Sequence, residues 1–223
     1  MEVYRQPRAM EPLLPKGQGG RLSELTCDIL KAAGRLTGQV HSPLVLKRVA
    51  DLVREMNCYY SNLIEGHKTV PRDIERAMNR DFSHDQTQRD NQQLSLAHIA
   101  VEQLMEERLA GESVDVYSPD FICWLHHEFY TRLPEPLHWA TTKGGKRYQI
   151  KPGRLRDFMV DVGRHTPPDF AALPAFLNRF HSFYGDNHIL EGERLVVIAA
   201  AHHRLAWIHP FGDGNGRVIR LQS

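Results

Sequence analysis

His209-Pro210-Phe211-Gly212-Asp213-Gly214-Asn215-Gly216-Arg217, continued by Val218-Ile219-Arg220, decides how the rest of the chain is read. Gly212, Gly214 and Gly216, interleaved with Asp and Asn, permit left-handed backbone and close approach by another group. Such a loop turns several N–H groups toward one point and makes a nest for an anion. No helix breaker follows Arg217, so the loop feeds a helix start. That start adds unpaired N–H groups and a positive dipole end. Arg217 and Arg220 are three apart and share a helical face. Two guanidiniums beside a nest suit a polyphosphate. Asp213 is a hard oxygen ligand placed to hold Mg²⁺ against those phosphates. His209 is the one group of the stretch that can act as a neutral base near pH 7.

Taken singly these signals are ordinary. Asp-Gly-Asn-Gly alone reads as a turn. An EF-hand is excluded, because Arg217 would stand at its fifth position and the chain ends before a twelfth-position Glu. The combination of base, metal ligand, nest and two arginines is what carries information.

That combination resembles the signature of the Fic family, His-x-Phe-x-(Asp/Glu)-Gly-Asn-Gly-Arg-x-x-Arg, at every specified position. Most members of that family transfer AMP from ATP to a hydroxyl side chain of a target protein. The resemblance implies that His209 takes the proton from that hydroxyl and that Phe211 anchors the loop in the core. It implies that Asp213 holds Mg²⁺. Gly212 belongs to the same ATP-binding loop, and Gly214, Asn215 and Gly216 would cradle the α- and β-phosphates. Arg217 would contact the phosphates and Arg220 would hold the γ-phosphate.

A second stretch, Ser61-Asn62-Leu63-Ile64-Glu65-Gly66, places Ser61 and Glu65 four apart on one helical face. Alone it reads as a surface Ser and a solvated Glu. It also matches the Fic inhibitory motif, (Ser/Thr)-x-x-x-Glu-(Gly/Asn). The resemblance implies that Glu65 pairs with Arg220, removes a γ-phosphate contact and leaves ATP in an unproductive pose. The motif precedes the signature, as in the class whose inhibitory helix is N-terminal.

The rest of the composition narrows the setting. Formal net charge is +1, so there is no global case for a nucleic acid or an acidic membrane as partner. Cys27, Cys58 and Cys123 are odd in number and far apart, which suits a reducing compartment better than a disulfide framework. The longest aliphatic run, Leu195 to Ala201, is far too short to span a bilayer. With no apolar leader visible, a cytoplasmic location is expected.

The chain reads as all-α, with one small β-hairpin flap. Residues 1–20, rich in Pro, Gly and charge, read as an extended or mobile lead-in. Residues 21–95 read as N-terminal helices that include the inhibitory one. Leu22, Leu25, Ile29 and Leu36 mark a first helix. Ser42-Pro43 opens a second, with Leu46, Val49, Val53, Met56 and Tyr60 as its apolar face and Gly66 as its stop. Residues 96–223 read as the Fic core. Ser118-Pro119 opens a helix with Ile122, Leu125 and Phe129 inward, and Leu173, Phe176, Leu177, Phe180 and Tyr184 mark another. Leu195 to Trp207 is apolar nearly all round and reads as the buried central helix that delivers His209.

Residues 137–168 suit a hairpin or irregular loop. The run from Pro152 through Pro168 resembles the segment that carries the Fic flap, with Val160, Asp161, Val162 and Gly163 aligning the target backbone by strand addition. Lys143-Gly144-Gly145-Lys146 lacks Walker spacing. The adjacent pairs His126-His127 and His202-His203 point apart on a helix and make no metal pair unaided.

The implied activity is that of an autoinhibited, ATP-dependent protein adenylyltransferase. Its partners would be ATP, Mg²⁺ and a target protein with a Ser, Thr or Tyr hydroxyl, and a homodimer is compatible with the pattern. Two alternatives stand beside it: removal of AMP from a modified protein with Glu65 orienting water, and an idle binding module held shut by Glu65. One departure from the pattern is that the chain stops three residues after Arg220, where Fic proteins normally continue the helix. The core therefore reads as truncated after the signature, with a short, fraying last helix.

Overall fold

The structure, a computed structural model, describes residues 3–17, 19–39, 42–141, 144–185 and 191–223. Lys143, and residues 1, 2 and 18 of the lead-in, lie outside the described residues.

The main core is built by α5 (Pro119–Thr131), α6 (Leu173–Tyr184), α7 (Arg194–Ile208) and α8 (Asn215–Gln222), joined by Leu94, Ala97 and Val101 of α4 (Gln86–Gly111). The Ser118 side chain accepts from the Phe121 N–H and Pro119 fills the first turn, so α5 starts where the sequence indicates. Its inner face, Phe121, Ile122, Leu125 and Phe129, packs with Phe176, Leu177 and Phe180 of α6. Each such side chain contributes on the order of 1.5–3 kcal/mol by leaving water. Helix α7 buries Val197, Ala201, Leu205 and Ile208. The expectation that it is closed all round does not hold: Ala199 and His203 are exposed, and the polar run His202-His203-Arg204 faces outward or half-outward.

The lead-in also differs from expectation. A 3-10 turn at Pro7–Met10 carries Met10 and Leu13 into the main core, at 0% and 3% exposure. The Tyr184 hydroxyl donates to the Leu13 carbonyl at 2.5 Å, and Arg204 donates to the Pro12 carbonyl at 2.6 Å. Arg179 pairs with Glu11. Proline here prevents helix, but two apolar side chains and satisfied carbonyls dock the strand on α6 and α7.

In the N-terminal half, α1 (Gly19–Gln39), α2 (Pro43–Ile64), α3 (Pro71–Met78) and α4 (Gln86–Gly111) form as the periodicity indicates. Their orientation does not. Leu46, Val49, Val53 and Tyr60, read as the inner face of α2, are 46–53% exposed. The face toward α4 carries Arg54, Cys58, Ser61 and Asn62. Arg54 pairs with Glu106 at 2.6 Å, and Asn62 donates to Ser95 Oγ at 2.8 Å. A small apolar cluster of Cys58, Ile74 and Ile99 completes that contact. Leu25, Ile29 and Leu36 of α1 are likewise exposed.

The hairpin comprises β1 (Trp139–Thr141) and β2 (Arg147–Gln149), antiparallel with Trp139 opposite Gln149. The stretch Val160–Gly163 is separate from it. It makes a tight turn with a single bridge, Val162 to His165, around Gly163 at φ 62°.

Candidate active site

The site is assembled where α7 ends and α8 begins. His209 terminates α7 in the left-handed conformation, φ 51° and ψ 63°, while its N–H still bonds to the Leu205 carbonyl. A non-glycine residue there stores on the order of 1–3 kcal/mol and persists only when its surroundings fix it. The imidazole is half-buried beside a cleft of about 380 Å³ that Gly212, Phe158, Met159, Val160 and Asp161 also line. Burial is the main cause that pushes His209 down to about 4, and Arg156 and His165 add to it. A backbone hydrogen bond to Ala206 and the charge of Asp213 oppose the shift. The ring is therefore neutral at pH 7, as a base requires.

Phe211 is fully buried and stacks on His126, with ring centroids 3.9 Å apart. The Asn215 side chain closes the loop on itself. Its Oδ1 accepts from the Phe211 N–H at 2.9 Å and its Nδ2 donates to the Phe211 carbonyl at 2.8 Å. Both polar ends of that side chain are thus committed, and it braces the loop rather than facing a ligand. Gly214 caps α8 at φ 75°, and a Cβ there would lie 2.7 Å from the Tyr130 ring.

Two residues that sequence reading passed over hold Asp213. The Tyr130 hydroxyl donates to Asp213 Oδ2 at 2.8 Å. The Gly153 N–H donates to His126 Nδ1 at 2.9 Å, so Nε2 carries the ring proton toward the Asp213 carbonyl at 3.3 Å. Burial pushes His126 down to about 4, which keeps that tautomer neutral. The i,i+4 spacing of His126 and Tyr130 on α5 is the sequence signal that could have found them.

The two signature arginines are in different situations. Arg217 is 4% exposed, its guanidinium over the Phe129 ring at 5.5 Å, and its Nε and Nη2 have no hydrogen-bond partner among the described residues. A buried cation with unpartnered donors is costly unless an anion reaches it. Arg220 is partnered. Its Nε donates to Ser61 Oγ at 3.0 Å, and its Nη2 lies 2.6 Å from Glu65 Oε1 and 3.3 Å from the Ser61 carbonyl. Glu65 stands at the C-cap of α2, where Gly66 at φ 83° turns the chain away. Its Oε1 lies against Gly216 so closely that any Cβ there would collide with it. The expected pair therefore forms, with the carboxylate over the first turn of α8.

Helix α8 does not have the frayed character expected of so short an element. Val218, Ile219 and Leu221 are buried, and it packs on α5 and α7. Val160 is half-buried and Asp161 exposed where they line the cleft, and Val162 and Gly163 beyond them are exposed.

The Fic/DOC family model matches residues 116–222, from just before α5 to the end of α8. Residues 116–222 thus carry a Fic domain. Curated relatives called protein adenylyltransferase Fic, from Aedes aegypti and Drosophila melanogaster, are 39% identical over 72 residues. That is 32% of this chain but only 14% and 15% of those proteins. Among solved structures, a Fic family protein from Desulfovibrio desulfuricans G20 superposes with a TM-score of 0.68 at 19% identity, over 98% of this chain and 58% of that one. Fic-1 from C. elegans, residues 134–508, gives a TM-score of 0.68 at 19% identity, over 92% and 57%. The Fic fold thus extends beyond the matched segment into the N-terminal helices.

Proposed function

We propose that this protein transfers AMP from ATP to a hydroxyl of a target protein, and that Glu65 restrains it. The observation that carries the reading is Arg217, a buried guanidinium with two unpartnered nitrogens at the first turn of α8. It calls for an anion at the point where the nest and helix dipole also favour one. The names of the curated relatives agree with that chemistry.

In this reading the hydroxyl oxygen attacks the α-phosphorus as the bond to the bridging oxygen breaks, and pyrophosphate departs. His209 takes the hydroxyl proton. Its depressed affinity for that proton would rise as nucleotide phosphates bring negative charge nearby. Val160 to Gly163 would hold the acceptor backbone beside the base. Mg²⁺ fits the residues present. Asp213 is exposed with Oδ2 held by Tyr130, leaving Oδ1 for a cation. Mg²⁺ commonly relies on one or two carboxylates plus substrate phosphates. When bound it would neutralise charge on the leaving pyrophosphate.

Restraint follows from Arg220. With its guanidinium on Glu65 and Ser61, it is withheld from a γ-phosphate. A reducing, cytoplasmic location belongs to the same proposal; its support is the three unpaired thiols.

The test is transfer of label from α-labelled ATP. Glu65→Gly should raise labelling, by up to about 10²-fold if the closed state dominates by about 100:1. Adding Arg220→Ala should remove most of that gain. Adding His209→Ala instead should cut labelling by about 10²–10⁴-fold. A triple comparison in which His209→Ala labels as well as its parent sinks the base. Loss of label from AMP-modified protein, dependent on Glu65, would favour the removal reading instead.

A further inference from the structure

Arg156 is 4% exposed and sends three donors to main-chain carbonyls. Nε donates to the His209 carbonyl at 2.9 Å, Nη1 to Phe158 at 3.0 Å and Nη2 to Pro168 at 2.6 Å. Its own main-chain N–H donates to the Pro210 carbonyl at 3.0 Å. One residue thus fixes both peptide carbonyls that follow the left-handed turn at His209. The same guanidinium grips the two ends of the segment that lines the cleft mouth. The far side of that segment is tied down separately: His165 bonds to the Trp207 carbonyl at 2.8 Å. A planar fork with donors in fixed directions can serve three carbonyls at once, which an ammonium cannot do with the same geometry.

We propose that Arg156 is the positioning residue of the site, setting His209 and the 158–168 segment in one frame. The base and the segment that would present the acceptor hydroxyl must be in register for proton removal, and they come from elements far apart in sequence. Arg156 is the link between them. The charged and titratable groups that face His209 are Arg156, His165 and Asp213. Arg156 and His165 disfavour the imidazolium, and Asp213 favours it. Replacing Arg156 with a neutral side chain should therefore let His209 titrate at higher pH. This inference rests on His209 being the base, yet its test needs no turnover.

Two variants and two readouts decide it. Arg156→Met removes charge and fork; Arg156→Lys keeps the charge without the fork. Ring-carbon NMR of labelled histidine, assigned with His209→Ala, follows the His209 titration. Amide hydrogen exchange follows residues 157–163 and 209–213, with α3 as an internal control. Arg156→Met should raise the His209 midpoint above its wild-type value and speed exchange in both segments by about tenfold or more, leaving α3 unchanged. Arg156→Lys should loosen both segments with a smaller rise in the midpoint. An unchanged His209 midpoint in Arg156→Met overturns the proposal, as does exchange that rises at 157–163 alone. Should Arg156→Met not fold, wild-type exchange in Arg156→Lys overturns it equally. If His209→Ala retains transfer activity, the proposed reaction falls while the titration and exchange results stand on their own.

Discussion

Helices α2 and α8 meet at the Glu65–Arg220 pair but are held in the molecule by different means. Helix α8 inserts Val218, Ile219 and Leu221 into the main core, and its entry loop is anchored by Phe211. Helix α2 meets α4 through Arg54–Glu106, Asn57–Glu102 and Asn62–Ser95, with Cys58 and the half-buried Tyr59 in a small apolar cluster. Most of its apolar residues face outward. The Arg54–Glu106 pair is buried at its arginine and open at its carboxylate, and a typical hydrogen bond contributes about 0.5–1.5 kcal/mol. A buried aromatic contributes more. The signature loop and α8 are thus fixed by burial in the main core, and α2, which bears Glu65, is fixed largely by polar contacts. The Glu65–Arg220 contact can therefore break while the signature loop stays formed.

The largest effect that would test this difference is at Phe211. Phe211→Ala should cost about 3–5 kcal/mol, because it opens a cavity under the loop and removes the ring that stacks on His126. Denaturant melts read it directly. A cost below about 1 kcal/mol would mean that the loop is held by Asn215 and not by burial.

Acid should come next, and it acts on both halves. Burial pushes His98, His126 and His209 down to about 4 from an ordinary value near 6.5. The sign is that of a depressed folded-state value: the stability is fully present above about 6.5 and is lost as pH falls through about 4. Thermal melts should therefore drop between those limits. His126→Gln should flatten part of that slope. A melt that is level from pH 7 to 4 would mean that these rings are not held neutral by the fold.

How much of this was legible in sequence follows from the same contrast. The signature loop could be read because its geometry demands particular residues: a glycine at φ 75° against Tyr130, and an anchor at Phe211. The Glu65–Arg220 pair was legible only through the family pattern, since a helix-end Glu is ordinarily solvated. Asn215 was read as part of the phosphate cradle, and sequence could not say which partner its amide takes, which here is Phe211. Arg156 was invisible for a related reason: its partners are carbonyls, which every residue carries. The apolar stripe of α2 fixed its helical state correctly and its direction wrongly. Periodicity reports that one face is apolar and not what lies against it. Docking of Met10 and Leu13 was hidden because Pro-rich composition predicts the absence of helix, not the absence of contact.

The smallest expected effect tests the direction of α2. Leu46, Val49 and Val53 are 46–49% exposed, so each already keeps about half of its surface in water. Leu46→Ser and Val53→Ser should each change stability by no more than about 0.5 kcal/mol, the usual range for surface substitutions. Phe129→Ala, on the face of α5 that is buried, should cost several-fold more, about 3–5 kcal/mol. Denaturant midpoints for the three variants at equal m-value give the comparison. Should Leu46→Ser or Val53→Ser destabilise by more than about 2 kcal/mol, these side chains are covered and α2 is not held by its polar face alone. The midpoints should also be read across protein concentration. A cost that appears only at high concentration would assign the cover to a second copy of the chain, because association stabilises the folded state by mass action.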